Sequence, residues 1–247
     1  MYSDDSDDEI DYKTAENILK KIYLPQEWKE LQEQDGIDLE GYVDAYNEAE
    51  LDECHNINFR EFFALKDFKE TGYMRLYDET RESYEMQRAF LRVTKYQYEM
   101  DLGQTEVRTL WRGETREKSE VNIFYPNKEY FTERFMSTTS DQSIIGNFMS
   151  DQLKPNQTNV EYEIKVDSVL VGANISAILN DLEEEIVILP YTKFEITDIK
   201  FDDDKLCVSM KNKPIIYNEW ESNFDTWLCN LEQSIPIGTD VLGLDAL

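Results

Sequence analysis

The 247-residue sequence holds one histidine, His55, and three cysteines, Cys54, Cys207 and Cys229. A single histidine leaves little room for a Ser-His-Asp or Cys-His mechanism unless His55 itself sits in the site. Cys54 and His55 are adjacent and could supply at most two of the four ligands a zinc centre needs. No other metal-ligand spacing is present, and no metal is expected. Positive charge is also scarce: 25 Lys and Arg stand against 53 Asp and Glu, a formal charge of −28. Binding to a phosphate backbone draws on Lys and Arg, and so does binding to anionic lipid. Neither nucleic acid nor membrane is therefore an expected partner. Long apolar runs are missing, and nothing nears the ~20 residues of a membrane span. The opening Met1-Tyr2-Ser3-Asp4-Asp5-Ser6-Asp7-Asp8-Glu9 lacks the basic and apolar parts of a secretory signal, so the expected place of work is a cytosol. No linker rich in Pro, Gly or Ser divides the chain, and no internal repeat is visible.

Hydrophobic residues make up 40% of the chain and aromatics 13%, too much for a disordered polymer despite the charge. The length suffices for a sizeable core. Residues 1–12 read as an acidic, disordered tail, suited at most to docking on a basic partner. From 13 to 102 the pattern is helical. Ala15, Ile18, Leu19 and Ile22 follow the spacing of one apolar helix face. Pro25 suits the start of a second helix, with Trp28 and Leu31 on one side. Gly36 and Gly41 interrupt the pattern. Phe59, Phe62, Phe63 and Phe68 form another buried face, and Met86, Phe90, Val93 and Gln97 a further stripe.

Beyond Gly103 the period changes from helical to alternating. Val160, Tyr162, Ile164 and Val166 alternate with Glu161, Glu163 and Lys165, as in a strand with one wet face. Ile186 to Leu189 is a short apolar run closed by Pro190 and reads as a buried strand. Residues 194–210 read as a hairpin turning at Asp202-Asp203-Asp204. That acidic turn lacks the spaced oxygen ligands of a calcium loop. Helices first and strands second predict an α+β fold.

Three segments could carry chemistry. In Trp111-Arg112-Gly113 an Arg is read as ending a strand. Its planar fork of donors suits a pyrophosphate, and Gly113 permits close backbone approach. In Phe135-Met136-Ser137-Thr138-Thr139-Ser140 an aromatic leads into consecutive hydroxyls; a helix cap is the ordinary explanation, with a helix expected over Ile144, Ile145 and Phe148. In Asp181-Leu182-Glu183-Glu184-Glu185 acids abut a buried strand, and strand alternation would put Glu183 and Glu185 on one face. Singly, each segment has a plain structural account.

In this order the three segments resemble the R-S-E group of mono-ADP-ribosyltransferases, the branch of the clostridial binary toxins and vertebrate arginine-specific ectoenzymes. That group has an Arg ending its first core strand, a Ser-Thr-Ser-like triplet after an aromatic, and a Glu-x-Glu opening a later strand. Gly172-Ala173-Asn174-Ile175-Ser176 and Glu185-Ile186-Val187-Ile188-Leu189-Pro190 extend the likeness, which covers about residues 105–200. Two positions depart: Thr139 replaces the last Ser, and Asn180, five residues before Glu185, stands where several members carry an aromatic.

The resemblance implies an ADP-ribosyltransferase fold, with an N-terminal helical lobe packed on two antiparallel β-sheets that form an NAD cleft. The single domain would span 13–235, with a helical lobe at 13–102, a strand-rich NAD-binding core at 103–235, and a C-terminal tail at 236–247. It implies NAD⁺ as substrate and an arginine of a target protein as acceptor, with nicotinamide released. The roles it implies are Glu185 against the oxocarbenium-like ribose, Ser137 orienting Glu185, Arg112 on the phosphates, and Glu183 positioning the acceptor. Gly113, Thr138 and Thr139 would complete the NAD-binding wall. Such proteins often act as toxins or effectors delivered into a host cytosol, or in phage infection. The alternatives are an NAD⁺ glycohydrolase of the same fold and a non-catalytic acidic interaction protein.

Overall fold

The computed structural model describes residues 9–33, 36–49, 57–70, 72–78, 80–100, 107–180, 183–202 and 205–234. The expectations placed on the first eight residues of the acidic tail, on Cys54-His55, Gly103, Asp181-Leu182 and Asp203-Asp204, and on the 236–247 tail, lie outside the described residues. The chain divides into two compact units, one of Met1–Ala89 with Asn223–Leu247 and one of Phe90–Ser222.

The first unit is helical. Its elements include α1 (Tyr12–Ile22), α2 (Pro25–Glu33), α3 (Leu39–Glu48), α4 (Phe59–Glu70), the start of α5 (Arg81–Met100) and, from Asn223 on, most of the last helix (Tyr217–Ser234). Local chemistry sets their starts. Asp11 caps α1 by accepting a 2.7 Å bond from the Thr14 N–H, while Lys20 and Lys21 suit its C-terminal dipole. Pro25 opens α2, where a missing N–H costs nothing. Asn58 and Glu61 form a capping box on α4: the Asn58 side chain accepts from the Glu61 N–H at 3.3 Å, and Glu61 accepts from the Asn58 N–H at 3.2 Å. Gly41 lies within α3, contrary to its reading as a breaker, because the Asp38 carboxylate caps that helix through the Gly41 N–H at 3.1 Å. Ala15, Leu19, Trp28, Leu31, Phe59 and Phe63 are among the buried side chains of one aromatic-rich core.

Among the described residues, the second unit holds eight strands: β1 (Arg108–Glu117), β2 (Glu129–Phe131), β3 (Met136–Thr139), β4 (Gln157–Val166), β5 (Gly172–Asn174), β6 (Glu185–Ile188), β7 (Lys193–Asp202) and β8 (Lys205–Asn212). Their order is β2-β7-β8-β4-β1-β3-β6-β5. The array consists of a five-stranded ladder ending at β1 and a three-stranded ladder starting at β3. The register joining them is the single pair Trp111↔Thr139. The α+β class stands, and all pairings but one are antiparallel. The exception is β4 with β8, which run parallel. The 194–210 hairpin is β7 paired with β8. Val160, Tyr162 and Ile164 enter the sheet core beside Leu110, Phe194 and Val208.

Three local expectations change. Arg112 does not end its strand: β1 continues for five residues beyond it. A glycine is tolerated mid-strand there because a Cβ on Gly113 would lie 2.5 Å from the Ile145 carbonyl oxygen, so the neighbouring turn fills that space. The segment Gln142–Phe148 is a 3-10 turn rather than an α-helix. Glu183 lies in a turn and Glu184 is left-handed, φ 49°, so alternation does not govern 183–185; strand pairing begins at Glu185, opposite Thr139. A helix missed in the sequence, α7 (Tyr217–Ser234), carries half-buried Trp220, Phe224 and Trp227 at helical spacing.

Candidate active site

Arg112, Ser137 and Glu185 all belong to the second unit, and hydrogen bonds link them in series. The Arg112 Nη1 donates to the backbone carbonyl of Ser137 at 2.8 Å. The Ser137 hydroxyl donates to Glu185 Oε1 at 2.5 Å. Pairing of β3 with β6 sets this arrangement, with Ser137 opposite Val187 and Thr139 opposite Glu185.

The Glu185 backbone is pinned as well. Its N–H donates to the Ser176 hydroxyl at 2.5 Å, and its carbonyl accepts from the Ile175 N–H at 3.2 Å. The residue is 7% exposed. The Gly172–Ser176 run thus has a mechanical use. A Cβ on Gly172 would meet the Val187 carbonyl oxygen at 2.5 Å, so only glycine lets β5 approach β6 this closely. Gln97, on α5, holds the outer edge of β5: its amide accepts from the Asn174 N–H and donates to the Asn174 carbonyl, each at 3.0 Å. The two bonds occupy backbone groups that an edge strand otherwise leaves open. The available signal was an amide in an otherwise apolar helical stripe.

Arg112 is organised by a network that the sequence reading did not isolate. Glu114 accepts from Arg112 Nε at 3.3 Å and Nη2 at 3.0 Å, from the Tyr162 hydroxyl at 2.6 Å, and from Arg116 Nε. Three of the five Arg112 N–H donors are therefore engaged, leaving two for a ligand. Burial alone would raise the Glu114 pKa, but Arg112, the Tyr162 hydrogen bond and Arg116 hold it below the usual carboxylate value. Burial, then the Glu114 charge, keeps the Tyr162 phenol protonated far into the alkaline range. The signal in the sequence was the alternation Arg112-x-Glu114-x-Arg116, which puts plus, minus and plus on one strand face.

The hydroxyls after Ser137 reach backbone. Thr138 donates to the Ile186 carbonyl at 2.6 Å and Thr139 to the Glu183 carbonyl at 2.7 Å, and both residues are 4% exposed. Capping of the following 3-10 turn falls instead to Asp141, which accepts from the Ser143 N–H at 2.8 Å. A hydrogen bond from the Ser143 side chain, and then this backbone one, lowers the Asp141 pKa. Phe135, the aromatic before the triplet, packs on Phe90 of α5 with ring centres 5.1 Å apart. Asn180 adopts a left-handed conformation, φ 49°, and closes the short helix α6 (Ser176–Leu179). An open pocket of about 600 Å³ lies along the 3-10 turn, lined by Asp141, Gln142, Ser143, Ile145, Met149, Glu161 and Lys205. Glu161 in its wall is bound by Lys205 and Gln142. Among the described residues, no group of three or more His, Cys, Asp or Glu is placed to hold a metal ion, and no helix is long and apolar enough to cross a membrane.

No family model matches the chain, and no curated protein matches it. Solved structures do. The chain is similar to the ADP-ribosyltransferase Vis crystallised with agmatine, with a TM-score of 0.53 and 18% identity over 71% of this chain and 84% of Vis. Vis is a toxin from Vibrio splendidus. The chain is also similar to exoenzyme S from Pseudomonas aeruginosa, crystallised with human 14-3-3 protein beta and carba-NAD. There the TM-score is 0.50 and the identity 15%, over 81% of this chain and 88% of the other. At these identities the likeness is one of architecture: the chain has the fold of the ADP-ribosyltransferases.

Proposed function

We propose that the protein is a mono-ADP-ribosyltransferase of the R-S-E group that transfers ADP-ribose from NAD⁺ to an arginine of a target protein. One observation carries this reading: the Ser137 hydroxyl fixes the Glu185 carboxylate while the Ser137 carbonyl fixes Arg112. A phosphate-binding fork and an oriented carboxylate are thereby joined through one residue, within a fold shared with NAD-using enzymes.

In the reaction, the bond between ribose C1 and the nicotinamide nitrogen breaks. Its electron pair leaves with nicotinamide and neutralises the ring. The ribose passes through an oxocarbenium-like state, as in glycoside hydrolysis, which the fixed negative charge of Glu185 stabilises. A guanidino nitrogen then bonds to C1 and gives up a proton. Glu183, exposed in the turn before Glu185, is the proposed base; a guanidinium needs one because it is fully protonated in water. The two remaining Arg112 donors hold the pyrophosphate, and Gly113, Thr138 and Thr139 shape the wall beside it. The agmatine bound to Vis is a guanidine, which supports this class of acceptor, and the charge of −28 suits a basic protein partner.

The test is incubation with NAD⁺ labelled in its adenylate, with agmatine and separately with a cell lysate. Nicotinamide release, labelled agmatine and a hydroxylamine-labile protein band are expected. Free ADP-ribose without labelled acceptor would make the protein a glycohydrolase. No nicotinamide release would overturn the assignment.

A further inference from the structure

The β3–β6 ladder ends at Thr139↔Glu185, yet the residues before Glu185 do not run free. The Thr139 hydroxyl holds the Glu183 carbonyl at 2.7 Å and accepts from the Asp141 N–H at 2.9 Å. Ser140, the residue beyond the triplet, holds Glu184 twice. Its N–H donates to the Glu184 carbonyl at 3.3 Å, and its hydroxyl donates to the Glu184 carboxylate. Glu184 adopts φ 49°, a left-handed conformation that a residue with a Cβ adopts only at a cost. The surrounding bonds must hold it there. This strained residue joins the two acids of the Glu-x-Glu, so its conformation sets the direction in which Glu183 is presented. Glu185 is held separately, by Ser137, Ser176 and Ile175.

We propose that Ser140 is a positioning residue: by clamping Glu184 in its left-handed turn it presents Glu183 to the acceptor, and so sets how much ADP-ribose reaches a guanidine rather than water. The inference rests on the transferase reading above and assigns a role to the residue just beyond the Ser137-Thr138-Thr139 triplet. Loss of the Ser140 hydroxyl loosens the turn that presents Glu183, whose carbonyl Thr139 still holds, but leaves the Glu185 anchors intact. Cleavage of NAD⁺ and transfer of its ADP-ribose therefore separate.

The experiment measures nicotinamide release and ADP-ribosyl-agmatine formation side by side for the full chain and its variants. Ser140→Ala should lower transfer about fivefold, the worth of one hydrogen bond of ordinary strength. NAD⁺ hydrolysis without acceptor should stay within twofold. Ser140→Thr, which keeps the hydroxyl, should restore transfer. Glu184→Ala should match Ser140→Ala, and the double variant should be no worse than either single one, because both remove the same bond. Glu184→Gln, which keeps an acceptor oxygen, should stay near the wild type. Unchanged transfer in Ser140→Ala, an equal fall in hydrolysis, or additive losses in the double variant would overturn the inference while the transferase reading stands. A wild-type chain that releases no nicotinamide overturns both.

Discussion

The two ladders of the sheet hold their parts of the candidate site by different chemistry. On the five-stranded side, Arg112 is set by charge: Glu114 gathers Arg112, Arg116 and the Tyr162 hydroxyl in a partly buried cluster. On the three-stranded side, Glu185 is set by neutral hydroxyls, Ser137 at its carboxylate and Ser176 at its N–H, with Thr138 and Thr139 tying neighbouring backbone. Charge suits the first because β1 pairs with β4 over ten residues, and that platform can desolvate an ion cluster without distorting. The second ladder has strands of four and three residues, and local hydroxyl-to-backbone bonds add the rigidity that so few ladder bonds lack. Orientation of the arginine should therefore answer to pH, and orientation of the carboxylate to the loss of single hydroxyls.

The largest effect tests the hydroxyl side at its functional end. Glu185→Gln keeps the shape and a hydrogen-bond acceptor for Ser137 but removes the negative charge. Nicotinamide release should fall about 10³-fold, the scale seen when one preorganised electrostatic group is lost, with a circular dichroism melt close to wild type. Activity within tenfold of wild type would break the assignment of Glu185.

Next comes the charged side. The Glu114 carboxyl titrates below its ordinary value of 4.5 in the folded chain. Its pairing thus contributes stability that is complete above that value and is lost as pH falls through the lower, folded one. Glu114→Gln should cost about 1–3 kcal/mol at pH 7 by leaving two guanidinium groups short of a partner. It should also flatten the fall in denaturation midpoint as pH drops below the ordinary carboxylate value. An unchanged acid limb would show that the cluster is not the titrating element.

A smaller effect is expected for Arg112→Lys. An ammonium keeps the charge but cannot reach Ser137 and Glu114 and still offer a fork of donors. KM for NAD⁺ should rise about tenfold, equivalent to ~1.4 kcal/mol, with a lesser change in kcat. The smallest effect is Thr138→Val, which removes one buried bond to the Ile186 carbonyl. It should lower stability by about 1 kcal/mol and leave the acid limb of the melt unchanged. A pH-dependent loss there would erase the contrast between the two ladders.

How legible these features were follows from how far each depends on neighbours in sequence. Alternation in β4 and the Phe-rich face of α4 were readable because burial imposes a period on the chain itself. β2 and β5, with three residues each, are too short to show a period, and the half-buried aromatics of α7 are diluted by acids and amides. Within the candidate site, Arg112, Ser137 and Glu185 were legible as an ordered set. Glu114 was visible in the alternation of charge but had no evident partner, since Tyr162 is 48 residues away.

The amino-acid sequence by itself determined the α+β class, the order of the three candidate segments and the net acidity of the chain. These depend on residue type and local spacing alone. Tertiary structure decided that Arg112 lies within a strand rather than at its end, that β4 and β8 run parallel, that Ser176 and Gln97 brace β5 and β6, and that Glu184 turns left-handed under the hold of Ser140. Each of these results from backbone groups seeking hydrogen-bond partners among residues remote in the chain, where no local period records the match.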